Sequence, residues 1–425
     1  MRKGFIFNPD FCTGCKACRA GCMLTNGWTT DARKVYTGDE GTGSVVNISI
    51  SCNHCQDPVC LKGCPSGAYI RDEISGAVLI NDKFCLGCRY CLWNCPYGAP
   101  DFNYVSGIVE KCHLCHNLLK HGEIPACASA CPTGALSFGG IPFETDEYSN
   151  ELAGGKYLNP SLIVQRSCDI KGPEMIPSPG NENSEDDGKR AFSPADIDYS
   201  LVGFSYLSTI SVSVAASGIF SGTKAGRPVA LVLLVASALF SLFHLGKPAR
   251  AWRSLANIRY SPLSREIAGL ILFGALLTIS LFADALALRI SVVASGLVFL
   301  LLIDTVYSWA EGSLARFHSG QTFLTGLLIT SFFSYQAVPF LFVATIKLLI
   351  LIRSGNLRWR IDNDFVLRYT RLAFLLISVF IMITGSTLKE PSAIIILLSG
   401  ELADRIIFYL DFSPPDIKKS IKSYN

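Results

Sequence analysis

Sixteen of the seventeen cysteines in this 425-residue chain fall between residues 12 and 131, in four groups of four. They are Cys12, Cys15, Cys18 and Cys22; Cys52, Cys55, Cys60 and Cys64; Cys85, Cys88, Cys91 and Cys95; and Cys112, Cys115, Cys127 and Cys131. Groups one and three keep the full C-x2-C-x2-C-x3-C spacing, and groups two, three and four end in Cys-Pro. A stretch this rich in thiols leaves little sequence for a conventional apolar core, so it must fold around whatever the thiols bind.

The spacing is that of cubane iron-sulfur sites in two-cluster ferredoxins. Three thiolates two residues apart reach three corners of one cube from a single tight loop. The fourth is expected at the start of a helix, facing away, and so serves the other cluster of a pair. A Cys-Pro-x-Gly-Ala run recurs at Cys64 to Ala68, Cys95 to Ala99 and Cys131 to Ala135, as the turn leaving each half of a ferredoxin unit. Between groups two and three, Ala68 to Ile70 and Val78 to Ile80 flank Ser75 and Gly76, which predicts a short hairpin.

Two other uses of sixteen cysteines fit less well. Disulfides need an oxidising compartment, and no secretory or twin-arginine signal is expected in the MRKGFIFNPDFC start. Zinc knuckles pair two C-x2-C units and have no use for a third cysteine two residues on. The expectation for residues 1–140 is an α+β, ferredoxin-like double module, 2 × 2[4Fe-4S], carrying four [4Fe-4S] clusters and disordered without them.

Composition divides the rest of the chain. Residues 141–198 include PEMIPSPGNENSEDDGKR and predict a polar tether, in which Cys168 has no partner spacing and is expected to be a plain thiol. Residues 199–425 predict an all-α transmembrane bundle of about eight helices, near 199–220, 228–246, 266–286, 288–308, 321–337, 338–353, 366–386 and 393–412. Residues 321–353 are too long for one span and short for two, and Gln336 and Pro339 offer the break.

Charge decides the count. With eight spans, the loops on the cysteine-rich side carry Lys247, Arg250, Arg253, Arg259, Arg265, Arg316, Arg353, Arg358, Arg360, Arg368, Arg371, Lys418, Lys419 and Lys422, fourteen in all. The opposite loops carry four: Lys224, Arg227, Arg289 and Lys389. Seven spans would destroy that asymmetry, so the positive-inside rule favours eight, with the clusters in the cytoplasm at the inner membrane. The net charge of +3 is too small for this length to suggest nucleic acid.

Ionisable groups inside spans are costly and mark candidate sites: His244, Glu266, Asp304, Lys347, Glu401, Asp404 and Arg405. Glu401 and Arg405, four apart, can neutralise each other on one helix, and Lys347 can snorkel to the interface. Asp304, one turn from Tyr307, has no such easy partner, and functional and packing roles are both open. His244 closes the second span and Glu266 opens the third on the same side. Each alone is an ordinary interfacial polar residue. Together they are a titratable pair suited to exchanging protons with a quinone. A bundle haem is not expected, since it needs two buried histidines and His318 lies in a loop.

The cysteine array resembles the four-cluster electron-transfer subunit of the dimethyl sulfoxide reductase family, which includes polysulfide and nitrate reductases. The stretch HLGKPARAWRSLANIRYSPLSREI from His244, with GELADRIIFY at 400–409, resembles that family's membrane anchor subunit. The resemblance implies a fusion of the two, covering nearly everything but the tether. It further implies the ligand sets Cys12, Cys15, Cys18 with Cys131; Cys112, Cys115, Cys127 with Cys22; Cys52, Cys55, Cys60 with Cys95; and Cys85, Cys88, Cys91 with Cys64. Nitrate reductases of the family have Trp at the position of Cys88, so a four-iron rather than three-iron cluster is implied here. Met23 departs from the pattern, which has Pro after the cysteine.

In the anchor, the family's quinol site matches His244 and Glu266. The implied role is to pass electrons between quinol, menaquinone or similar, in the membrane lipid and a separate molybdopterin subunit. The competing class is a self-sufficient ferredoxin-quinone oxidoreductase. With both quinol-site residues on the cluster side, turnover is expected to move no net charge across the membrane.

Overall fold

The structure, a computed structural model, describes residues 2–28, 30–39, 45–142, 158–165, 198–220, 224–311, 318–353, 365–385 and 391–412. Cys168 lies outside them, as do Arg316, Arg358, Arg360, Lys389, Lys418, Lys419 and Lys422. The chain forms two compact units. One comprises Met1–Gly188, Leu245–Ser261 and Pro414–Asn425, the other Lys189–His244 and Pro262–Ser413.

The described residues of the first unit form four small sheets. Strand β1 (Arg2–Phe7) pairs antiparallel with β8 (Leu136–Ile141), Phe5 opposite Phe138, and parallel with β9 (Leu162–Val164), Phe5 opposite Leu162. The strand entering group one thus lies beside the strand leaving group four. Phe5, Phe7, Leu136, Leu162 and Val164 are buried beneath them with Cys18, Cys22 and Cys127. Three further antiparallel pairs follow among the described residues: β2 (Arg33–Asp39) with β3 (Val45–Ser51), β4 (Tyr69–Arg71) with β5 (Val78–Ile80), and β6 (Asp101–Asn103) with β7 (Ile108–Glu110). The second is the hairpin predicted between groups two and three. Residues 158–165, assigned by composition to the tether, instead add the strand β9 and bury Leu158, Leu162 and Val164. Three residues of strand are too few to show as alternation in a polar stretch.

The second unit is helical. Its described residues form eight helices: α6 (Tyr199–Phe220), α7 (Gly226–Phe243), α8 (Pro262–Phe282), α9 (Leu286–Glu311), α10 (Thr322–Phe333), α11 (Ala337–Arg353), α12 (Phe365–Thr384) and α13 (Pro391–Asp411). Five of them are long and apolar enough to cross a membrane. Helices α10 and α11 are separated by a tight turn in which Tyr335 is left-handed, φ 54°. That turn is the break expected near Gln336, while Pro339 falls in the first turn of α11, where a missing N–H costs nothing. Helix α6 packs on α7 and α10 and joins them through hydroxyls: Ser211 Oγ to the Ala230 carbonyl at 2.7 Å and Ser213 Oγ to that of Gly326 at 3.1 Å. Apolar helices in lipid gain little from apolar contact alone, so such bonds specify their partners.

Candidate functional site

All four cysteine groups are built by one local device. The residue before the second cysteine is left-handed in each: Gly14 (φ 69°), His54 (42°), Gly87 (69°) and Leu114 (62°). This folds the first two thiols of a group toward one side. Glycine adopts the conformation freely, whereas His54 and Leu114 hold it under strain, the mark of a conformation fixed for a purpose. His54 is secured by the Val78 amide, which donates to its Nδ1 at 3.0 Å. Burial and the nearby Lys111 charge keep this imidazole neutral, well below its usual acidity range.

A helix then begins one residue before the third cysteine: α1 (Ala17–Asn26), α2 (Val59–Gly63), α3 (Tyr90–Asn94) and α5 (Ala126–Ser129), the short α4 (His116–Lys120) lying between the second and third cysteines of group four. The fourth cysteine does not start a helix, contrary to the expectation from spacing. Cys64 and Cys95 cap the ends of α2 and α3, and Cys131 follows α5. The proline after each cannot continue the helix. Where Met23 replaces it, α1 runs on past Cys22 to Asn26, whose side-chain nitrogen approaches the sulfurs of Cys22 (3.9 Å) and Cys115 (3.8 Å). The Cys-Pro-x-Gly-Ala turn aims backbone amides at the thiol it follows: Ala68 N to Cys64 Sγ and Leu136 N to Cys131 Sγ, both 3.4 Å.

The fourth cysteine of each group is carried to another group. Cys131 lines one concavity with Cys12, Cys15 and Cys18, and Cys95 lines another with Cys52, Cys55 and Cys60. Cys22 faces Cys115 and Cys127 and is felt by Cys112, and Cys64 faces Cys85, Cys88 and Cys91. Burial, with added repulsion from neighbouring thiols, pushes the thiols of Cys22 and Cys88 up to about 12 and that of Cys95 up to about 11. Such thiols shed their protons at neutral pH only to a metal. Four thiols to a set, three of them from one local segment, suit a cube with one thiolate per corner.

The first unit also takes in Leu245–Ser261, which in sequence separates α7 from α8. This segment grips the backbone around two cysteine groups. Lys247 N donates to the Leu86 carbonyl at 2.9 Å, and Arg250 Nη1 to those of Asp82 (2.6 Å) and Cys85 (2.9 Å). Asn257 Nδ2 bonds the carbonyls of Lys62 and Cys64, both at 2.9 Å, and Ser261 Oγ that of Gly63 at 2.7 Å. The Arg253 guanidinium lies 3.8 Å from the Phe84 ring centroid. Gly246 approaches the turn at Gly107 so closely that a Cβ on it would collide with the Gly107 carbonyl oxygen. In sequence this segment reads as an interfacial loop, because its partners are backbone carbonyls far away along the chain.

In the second unit, His244 follows α7 as its C-terminal cap and Glu266 lies in α8, at 8% and 5% exposure. Glu266 lies within electrostatic reach of Arg405, Asp304 and Tyr307. Asp304 does have partners: it accepts from Thr322 N and Oγ1, each 2.9 Å, and from Phe323 N at 3.0 Å, capping the start of α10 from a different helix.

Lys347 does not snorkel. At 1% exposure it ion-pairs with Glu401 and, at 3.2 Å, with Asp404, and donates to Thr325 Oγ1 at 3.0 Å. Glu401 accordingly pairs with Lys347 rather than Arg405, which bonds Ser205 Oγ (2.8 Å) and the Gly320 carbonyl (2.9 Å). Two charges counted with the loops are also inside the unit. Arg371 pairs with Asp404, and Arg227 with Asp284. These pairings join separate elements, where helical spacing gives no guide.

Comparison with known proteins also separates a cysteine-rich part from a helical part, with Leu245–Ser261 falling in the helical match. Residues 44–141 match the family described as 4Fe-4S dicluster domain, and residues 223–354 that described as DMSO reductase anchor subunit. One subunit of the anaerobic dimethyl sulfoxide reductase of Escherichia coli (strain K12) is 40% identical over 187 residues, 40% of this chain and 90% of that protein. Its counterpart from Haemophilus influenzae is 37% identical over 185 residues, 40% and 88% of the two proteins. Protein NrfC of Escherichia coli (strain K12) is 35% identical over 159 residues, 36% and 71%.

Proposed function

The chain belongs to the dimethyl sulfoxide reductase family as a fusion of its iron-sulfur and membrane-anchor subunits, and we propose that it passes electrons between membrane quinol and a separate molybdopterin catalytic subunit. It is a 4Fe-4S electron-transfer protein with a membrane-spanning helical region. The observation that carries the proposal is the exchange of fourth cysteines, which gives four separate four-thiol sets in one unit. In this reading the ligands are Cys12, Cys15, Cys18 and Cys131; Cys112, Cys115, Cys127 and Cys22; Cys52, Cys55, Cys60 and Cys95; and Cys85, Cys88, Cys91 and Cys64. Bound clusters supply one-electron steps at each set. Cys15 is exposed, and Cys12 and Cys131 are partly so, which makes that set the natural point of exchange with the catalytic partner.

His244 and Glu266 form the quinol site in this proposal. They take up the two protons that quinol oxidation releases with its two electrons. Asp304, committed to capping α10, acts there by holding the charge balance around Glu266 and Arg405. Eight spans, with the cysteine-rich unit in the cytoplasm, complete the arrangement.

The test is purification of the full chain from its own membranes in mild detergent. A large molybdopterin subunit should accompany it, and added quinol should reduce the clusters. His244→Ala and Glu266→Gln should abolish reduction by quinol and leave reduction by dithionite unchanged. A chain that reduces quinone unaided, with no partner present, would instead be a ferredoxin-quinone oxidoreductase.

A further inference from the structure

Two cations are buried among the sixteen cysteines with no carboxylate paired to either among the described residues. Arg33, at 2% exposure, is held by Ser49 Oγ at 3.1 Å and Ser51 Oγ at 2.8 Å, its guanidinium 4.6 Å from the Phe5 ring centroid. Its Nε is buried with no hydrogen-bond acceptor among these residues. Around it stand Cys18, Cys22, Cys112 and Cys127. Ser49 Oγ lies in turn 3.2 Å from Cys18 Sγ. Lys111, at 5% exposure, donates to the carbonyls of Val78 and, at 3.0 Å, Cys112. It faces Cys60 and Cys95.

A full charge removed from water is costly unless an opposite charge faces it. Neutral hydroxyls, carbonyls and a ring face hold these two cations in place and do not neutralise them. Among the described residues, and apart from the Tyr69 phenol, which stands with its ring 5.9 Å from the Lys111 ammonium and is kept neutral by burial, the groups around them that can become anionic are cysteine thiols. We propose that Arg33 and Lys111 are fixed counter-ions of the iron-sulfur centres: Arg33 for the two sets containing Cys18 and Cys127, Lys111 for the set containing Cys60 and Cys95. An added electron makes such a centre more negative. A buried cation nearby therefore favours the reduced state and raises the potential, and its removal must lower it. The inference rests on clusters filling the four thiol sets, which the iron content of the unaltered chain tests separately.

The experiment is a potentiometric titration of the full chain, followed by the paramagnetic signals of its reduced clusters, with iron counted on the same samples. Arg33→Met should keep all its iron and shift two of four reduction steps to more negative potential. The shift should be about a tenfold change in reduced-to-oxidised ratio at a fixed poise, 59 mV for a one-electron couple. Arg33→Lys should leave those steps near their original positions, and Lys111→Met should move a different step in the same direction. Unchanged potentials in Arg33→Met at full iron content would overturn the proposal. If Arg33→Met loses iron, Arg33→Lys decides: retention of all four clusters supports the counter-ion, and loss in both variants shows that shape rather than charge is required.

Discussion

The side-chain amide of Asn257 donates to the carbonyl oxygen of Cys64 at 2.9 Å, so a residue from the segment between two apolar helices holds the backbone of a cysteine group 193 positions earlier. Arg250 does the same for Cys85 at 2.9 Å. Cys64 and Cys85 face the same thiol set. The second and third groups are therefore completed by sequence that lies far outside the cysteine-rich stretch.

Gly246→Val should loosen that grip, since the Gly107 carbonyl leaves no space for a Cβ. The expected outcome is loss of the cluster at Cys64, Cys85, Cys88 and Cys91 alone, lowering iron from about sixteen to about twelve per chain. Asn257→Asp, which sets a carboxylate against two carbonyl oxygens, should act in the same direction. Iron and labile sulfide analysis on anaerobically purified protein checks both.

Removing the metal should unfold the first unit and spare the second, because the cysteine sets order little without it while the helices are packed through their own side chains. Far-ultraviolet circular dichroism after anaerobic chelation should retain the helical signal. Burial raises the thiols of Cys22, Cys88 and Cys95 well above neutrality, so ligation must expel their protons. Reconstitution should improve as pH rises from about 6 to about 8 and fail progressively below about 6, the direction expected for groups protonated in the metal-free state.

Cys88→Trp removes one corner ligand from a set that is otherwise intact. It should convert one cluster to the three-iron form, seen as a new paramagnetic signal in the oxidised protein. Cys168→Ser, at the one cysteine beyond the four groups in the sequence, should change no cluster spectrum.

Lys347→Met should destabilise the helical unit by about 3–5 kcal/mol, since Glu401 and Asp404 then lose a buried cation. Combining it with Glu401→Gln should recover much of that loss, because Asp404 keeps Arg371. Thermal unfolding in detergent measures both. Equal stability of Lys347→Met and the unaltered chain would show that the pair is not desolvated.

The cysteine chemistry was legible in the sequence because it is written in local spacing. Two-residue intervals, Cys-Pro turns and the Tyr69 to Ile80 hairpin are short-range features, and chain geometry turns them into structure with little help. The helices of the second unit were legible for a similar reason: apolar length is a local property. Met23 was visible as a departure, but only the fold shows its effect, a helix that continues to Asn26 where others stop at the cysteine. What tertiary structure alone decided are contacts between residues distant in sequence. Asn257 on Cys64, Lys347 on Glu401, Asp304 capping α10 and Arg33 among Cys18, Cys22 and Cys127 leave no periodic trace. A buried charge or an unpaired carbonyl must find a partner, and the sequence states that need without naming the partner, which is fixed only when packing brings particular backbones together.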